Sequence, residues 1–202
     1  CGDGIYINTA GVGTMLAGAD IAPTNITAGM DIIVSGTLGD HAATVMAARH
    51  GLTLPPEIQS DCAPLCHLTA AMIAAAGDGI AVLRDPTRGG AAASLNELAG
   101  AAGVGVLLEE DAIPVRPAVQ GVCEMLGFDP LTLANEGKLF AFVRPAVTAR
   151  VLDVMHENPY GREACVIGHT TADAPGTVGL RTALGGIRVV DLPLGELVPR
   201  IC

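Results

Sequence analysis

Tryptophan is absent from the 202 residues, and two tyrosines and three phenylalanines are the only aromatic side chains. The core must therefore be built from Val, Leu, Ile and Ala, and with half of the residues hydrophobic, disorder is excluded for most of the length. Long apolar runs are lacking as well. Mean hydropathy is +0.48, but 32 alanines and 26 glycines carry much of it. Stretches such as 70–76 fall far short of the roughly 20 residues that a membrane-spanning helix needs, so no membrane span is expected. Basic charge is scarce: 11 Lys plus Arg stand against 21 Asp plus Glu, and Lys138 is the only lysine. A net charge of −10 argues against a nucleic-acid partner, because such binding rests on neutralising phosphates.

There is no initiator methionine and no leader-like segment at the start. Gly2-Asp3-Gly4 reads as a tight turn feeding a strand, Ile5 to Ala10, whose preceding partner is not there. A further N-terminal region is therefore expected. The cysteines, at 1, 62, 66, 123, 165 and 202, are widely scattered, and a reducing cytoplasm is the expected setting.

Helix punctuation is legible along the rest. Pro64, Pro117 and Pro145 stand where first helical residues are expected, and Gly77, Gly127 and Asn158-Pro159 supply the stops. Two more helices follow Gly-rich loops, one from Asp40 as N-cap to before Gly51, the other from near Gly90 to Gly103. Strand-like runs lie between them at 31–35, 80–83, 105–108, 139–143, 164–168 and 187–190. Strands alternating with helices predict an α+β domain of mixed α/β layers over residues 28–190.

Four segments could carry chemistry. Ser35-Gly-Thr-Leu-Gly-Asp-His41 takes a strand through a Gly-containing loop into a helix, where free N–H groups can meet an anion. It lacks the lysine and full spacing of a P-loop, and a tight loop capped by Asp40 explains it equally well. Arg84-Asp85-Pro86-Thr87-Arg88-Gly89-Gly90 sets a carboxylate, a guanidinium and two glycines at a helix N-terminus, a set suited to phosphate or its metal ion. The plainer reading is an ordered loop with close packing. Ala134-Asn135-Glu136-Gly137-Lys138 precedes a strand, and alternation sends Glu136 and Lys138 to one face, either as an ion pair or with Glu136 poised as a general base. The stretch 191–202 holds two prolines and a glycine, so it is no helix, and it ends on a thiol, Cys202. Cys62, Cys66 and His67 lack the second pair that a zinc ribbon needs; buried helix cysteines are expected, and no metal site.

Together, Pro199-Arg-Ile-Cys202, Asp85-Pro-Thr-Arg-Gly-Gly90, Ser35-Gly-Thr-Leu-Gly-Asp-His41 and Asn135-Glu-Gly-Lys138 resemble the HypE family of hydrogenase maturation proteins. That family sits in the superfamily of aminoimidazole ribonucleotide synthetase and selenophosphate synthetase. The resemblance runs over essentially the whole chain. It implies a remnant of an N-terminal ATP-binding domain at 1–27, the second domain of the superfamily at 28–190, and a mobile tail, 191–202, carrying Cys202.

The chemistry implied is ATP-dependent dehydration of a carboxamide carried on the Cys202 thiol to a thiocyanate, the source of cyanide ligands for [NiFe]-hydrogenase iron. Glu136 is the candidate base. Asp85, Arg88, Gly89, Gly90 and Asn135 are the candidate nucleotide-binding residues, with ATP and Mg2+ held largely by the N-terminal region. A HypF-type carbamoyltransferase, a HypC-HypD iron scaffold complex and a second copy of the chain are the implied partners. A sibling synthetase, or a non-enzymatic docking module that presents a thiol, are the alternatives; the first gives no reason for a terminal Pro-Arg-Ile-Cys.

Overall fold

A computed structural model of the chain describes residues 4, 8, 10–16, 19–56 and 58–192. The expected N-terminal turn, most of the expected strand at 5–10, and the terminal 193–202 with Cys202 lie outside the described residues. Within them, seven strands form one mixed sheet: β1 (Asp31–Val34), β2 (Ile80–Arg84), β3 (Gly105–Glu109), β4 (Phe140–Val143), β5 (Cys165–Thr171), β6 (Val178–Arg181) and β7 (Ile187–Val189). Their order is β2-β4-β1-β5-β3-β6-β7. Every neighbouring pair is antiparallel except β3 and β6. Five α-helices accompany the sheet: α1 (Asp40–Arg49), α2 (Cys66–Ala76), α3 (Gly90–Ala102), α4 (Pro117–Leu126) and α5 (Pro145–His156).

Both faces of the sheet are covered, which explains why its central strands read as continuous apolar runs rather than alternating ones. Ile32, Val34, Phe140 and Phe142 point to the face covered by Leu95 and Leu98 of α3. Ile33, Ala141 and Val143 point the other way, against Leu68 and Met72 of α2 and Val151 of α5. Period-two alternation thus splits one four-residue run, Phe140-Ala-Phe-Val143, between two cores. A smaller cluster joins α1 to α4 through Ala42, Ala43, Val119 and Val122.

The expected α+β layering is present, with three local differences. Helix α1 is not capped by Asp40. Gly39, at φ +86°, is the N-cap and Asp40 is the first helical residue; its carboxylate turns instead to Thr37 and Arg116. Helix α2 starts at Cys66 rather than at Pro64. Strand β6 was not expected at all, because Val178-Gly-Leu-Arg181 is short and interrupted by glycine.

The topology decides where the loops meet. Val34 at the end of β1 and Arg84 at the end of β2 both pair with Phe140, the first residue of β4. The loops leaving β1 and β2 and the loop entering β4 therefore share one end of the sheet. These are three of the four segments singled out in the sequence.

Candidate active site

Asn135 fastens the three loops together. It is 1% exposed, and its Oδ1 accepts the Gly39 N–H at 2.8 Å. Its Nδ2 donates to the carbonyls of Pro86 and Leu133 at 3.1 and 3.0 Å. Its own N–H also donates to the Pro86 carbonyl. The amide, expected at the nucleotide, is thus spent on the chain's own backbone. Gly90, at φ +61°, completes the closure: a Cβ there would lie 2.5 Å from the Leu133 carbonyl oxygen and 2.6 Å from that of Leu131. Only glycine lets the start of α3 lie this close to the loop before β4.

Around that seam, Asp85, Arg88 and Gly89 face outward. The Asp85 side chain is 64% exposed, with Arg84 at 3.9 Å; Arg84 itself bonds Glu97 at 2.8 Å. Arg88 is exposed and has no ion-pair partner among the described residues. Gly89, at φ +71°, is the N-cap of α3 and brings no side-chain cap, so the N–H groups of the first turn are not consumed by a side chain. The arrangement keeps a helix N-terminus, a guanidinium and a carboxylate available together, as phosphate handling requires.

The third loop holds a pair that the sequence did not reveal. Lys138 is not paired with Glu136; its Nζ stands 3.6 Å from Oδ2 of Asp61. Asp61 also accepts the Glu136 N–H on Oδ1 at 3.0 Å. Gly137 lies flush against that segment, since a Cβ on it would overlap the Asp61 carbonyl oxygen at 1.7 Å. Asp61 sits more than seventy residues upstream in a loop with no periodic signal, so only the fold brings it here. Asp40, Asp61, Asp85 and Glu163 each have a cationic neighbour. The Glu136 carboxylate alone among the acids of these loops has neither hydrogen bond nor ion pair among the described residues.

Beside this pair lies a cavity of about 230 Å³, lined by Ser35, Gly36, Asp61, Cys62, Lys138 and Tyr160 among others. Ser35 Oγ accepts the Leu139 N–H at 3.0 Å. His41, buried in the first turn of α1, places Nδ1 2.8 Å from Ser60 Oγ and 3.8 Å from Cys62 Sγ. Cys62 and Cys66 are exposed, not buried helix cysteines: Cys62 lies in the loop before α2, and Cys66 begins the helix on its outer side. Among the described residues no group of three or more His, Cys, Asp or Glu could hold a metal ion.

Burial drives the perturbed ionisations. The Cys123 thiol is pushed up to about 11 by burial, with Asp129 and Glu124 adding to it, and burial also raises Cys165. Because the thiolate is the nucleophile, iodoacetamide at pH 8 is expected to modify Cys62 and Cys66 well before Cys123, which peptide mapping over time measures.

Burial likewise raises the Asp40 carboxyl above 3.8, against the opposing pull of Thr37, Arg116 and Lys138. A carboxyl held higher in the folded state lends stability that is complete below its unfolded value and is lost as pH rises through the folded one. Asp40→Asn is therefore expected to remove part of the decline in unfolding free energy as pH rises above about 4. Urea titrations at several pH values, compared with wild type, read this directly.

Comparisons with known proteins bear on the family and the fold. Residues 27–181 match the family described as AIR synthase related protein, C-terminal domain. The carbamoyl dehydratase HypE of Rhodobacter capsulatus is 51% identical over 200 residues, 99% of this chain and 58% of that protein. The crystal structure of hydrogenase maturation protein HypE in complex with ATP superposes with a TM-score of 0.83 at 40% identity, covering 90% of this chain and 55% of that one. HypE in the crystal structure of a HypE-HypF complex gives 0.82 at 39%, covering 87% and 57%. The chain thus spans somewhat more than half the length of the relatives it matches. No helix among the described residues is long and apolar enough to cross a membrane. The chain belongs to the AIR synthase related family, whose C-terminal domain it carries, and it is homologous over its whole length to the HypE proteins.

Proposed function

We propose that the protein is an ATP-dependent dehydratase that converts a carboxamide carried on the Cys202 thiol to a thiocyanate, with Glu136 as the base. The observation that carries this is the Glu136 carboxylate, unpartnered among the described residues and on the same loop junction as the open N-terminus of α3. Two of the chain's similarities support it: a relative named carbamoyl dehydratase HypE, and a HypE structure holding ATP.

The chemistry asks for such a pairing. An amide oxygen is a poor leaving group; bonding it to the terminal phosphorus of ATP, as the bond to ADP breaks, lets it depart as phosphate. The nitrogen gives up its protons as the C–O bond breaks and the C≡N bond forms. Glu136 takes the first proton from that nitrogen as the oxygen is phosphorylated, and the second leaves on the departing phosphate. Arg88 and the Gly89 N–H would receive phosphoryl oxygens, Gly90, whose own N–H is donated to the Thr87 carbonyl, would serve by letting the helix start lie close, and Asp85 would hold the Mg2+ that accompanies ATP. The remaining ATP and Mg2+ contacts are assigned to a preceding domain, of which 1–27 is the last part, while 28–190 is the second domain and 191–202 the carrier segment. Asn135 serves the nucleotide indirectly, by holding the three loops in register.

The partners proposed are a HypF-type carbamoyltransferase, as in the relative's solved complex, a HypC-HypD iron scaffold that accepts the cyano group, and a second copy of the chain, all in the cytoplasm.

The test is the intact mass of the full-length protein after exposure to the carbamoyltransferase, carbamoyl phosphate and ATP, with peptide mapping of any adduct. A carboxamide on Cys202 that then loses one water only with ATP is the expected result. No adduct on Cys202 overturns the reading.

A further inference from the structure

His41, Ser60 and Cys62 form a cluster that the dehydratase chemistry does not use. The Ser60 hydroxyl donates to Cys62 Sγ at 3.2 Å and stands 2.8 Å from Nδ1 of the buried His41. Nδ1 is itself 3.8 Å from the sulfur. A proton leaving the thiol therefore reaches the ring directly or through one hydroxyl, the pairing of nucleophile and base that activates a weak nucleophile. Cys62 is exposed, and so is Cys66 four residues on. Among the described residues, however, neither an imidazole nor a hydroxyl is bonded to the Cys66 sulfur.

The cavity beside the cluster gives the thiol a site. Cys62 lines the space of about 230 Å³ together with Asp61, Lys138 and Arg162. The Asp61 side chain is 2% exposed, and its Oδ2 has no hydrogen-bond partner among the described residues. Leaving a buried carboxylate oxygen unsatisfied is costly. It calls for an N–H donor, and Lys138 Nζ, at 3.6 Å, stands beyond ordinary hydrogen-bond reach. Arg162 is exposed and has no ion-pair partner among the described residues. An acceptor without a donor, two cations and an activated sulfur thus border one small space.

We propose that Cys62 is a modification site that takes a small zwitterionic thiol, of the cysteine class, as a mixed disulfide. The Cys62 thiol gives its proton to His41, and the thiolate attacks one sulfur of the free disulfide. A new S–S bond forms as the old one breaks, and the other half leaves as a thiolate that takes up the proton. No oxidant beyond the disulfide enters. The ammonium of the bound half reaches Asp61 Oδ2, and its carboxylate meets Arg162 and Lys138.

Size sets the same limit. A cavity of about 230 Å³ lies below the roughly 300 Å³ at which pockets for drug-sized ligands begin, which suits one amino acid rather than a peptide. The inference needs neither ATP nor Cys202, so it stands or falls apart from the dehydratase reading.

The experiment exposes the reduced full-length protein at neutral pH to L-cystine or to the uncharged bis(2-hydroxyethyl) disulfide. Peptide mapping of samples quenched over time reads each cysteine separately. With the uncharged disulfide, Cys62 is expected to exchange about tenfold faster than Cys66, through its activation alone. With cystine the ratio is expected to rise to about a hundredfold, as the charged contacts add to it. Ser60→Ala is expected to lower both ratios. Asp61→Asn is expected to bring the cystine ratio down to that of the uncharged disulfide and to leave the latter unchanged, which also shows that the cluster is still folded. Exchange at Cys62 no faster than at Cys66 overturns the inference. So does one ratio for both disulfides, which leaves a reactive thiol without a site.

Discussion

Glu136→Gln, made in the full-length protein, is expected to take the carboxamide on Cys202 at the normal rate and then to stop. Removing a positioned general base typically costs between a hundredfold and ten-thousandfold, so dehydration falls by about a thousandfold while the loaded species accumulates. Intact mass separates the two steps, because the carboxamide and the thiocyanate differ by one water. The fold gives no reason for a stability loss: Glu136 holds its place through its backbone N–H, which donates to Asp61, and the carboxylate itself has no partner to lose among the described residues. A variant that dehydrates at the wild-type rate removes Glu136 from the mechanism. A variant that is no longer loaded points instead to a role in docking the carbamoyltransferase.

Asn135→Asp carries the largest expected effect on stability, although it changes hardly any volume. The new carboxylate keeps an acceptor for the Gly39 N–H but turns the other arm, now donating to two carbonyls, into an oxygen facing them. An uncompensated charge at a 1% exposed position costs about 3 to 5 kcal/mol. The site raises that carboxyl's folded value, so the stability deficit is smallest at low pH and grows as pH rises through it. Guanidinium unfolding at pH 7 and pH 5 measures this. An equal deficit at both pH values argues that the amide donors, not the charge, decide the outcome. Asn135→Ala, which leaves the Gly39 N–H without a partner, is expected to be milder, at about 1 to 3 kcal/mol.

The parts of this architecture that were legible in the sequence are those written in local chemistry. Prolines at the first turns of α4 and α5 and glycines after α2, α3 and α4 mark their ends within a residue or two, because proline and glycine act through their own φ. The three site loops were visible as strand-to-helix and loop-to-strand junctions for the same reason. What escaped was set by distance along the chain. Lys138 has Glu136 as its nearest acid in sequence and Asp61 as its partner in space. Asp40 looked like a cap, yet its neighbours Thr37 and Arg116 redirect its carboxylate and leave the cap to Gly39. Cys62 and Cys66 looked like core residues of one helix, but α2 starts at Cys66, and that leaves both thiols at the surface. Cys202, which carries the proposed substrate, was legible through the Pro199-Arg-Ile-Cys202 ending and the family resemblance it supports, not through any periodic or packing signal.

The four residues of β4 have a consequence for the timescale on which the site can open. Phe140 to Val143 are buried on both faces, and the loop 134–139 leads directly into them, with Leu139 bonded to Ser35 and Asn135 bonded across to Pro86. The amide protons of Gly39, Asn135, Glu136 and Leu139 are thus tied to the central sheet, and they exchange with solvent only in openings that cost nearly as much as unfolding the sheet itself. The loop junction that holds the proposed base is therefore expected to exchange as slowly as the core of the sheet, which hydrogen exchange followed by mass spectrometry measures.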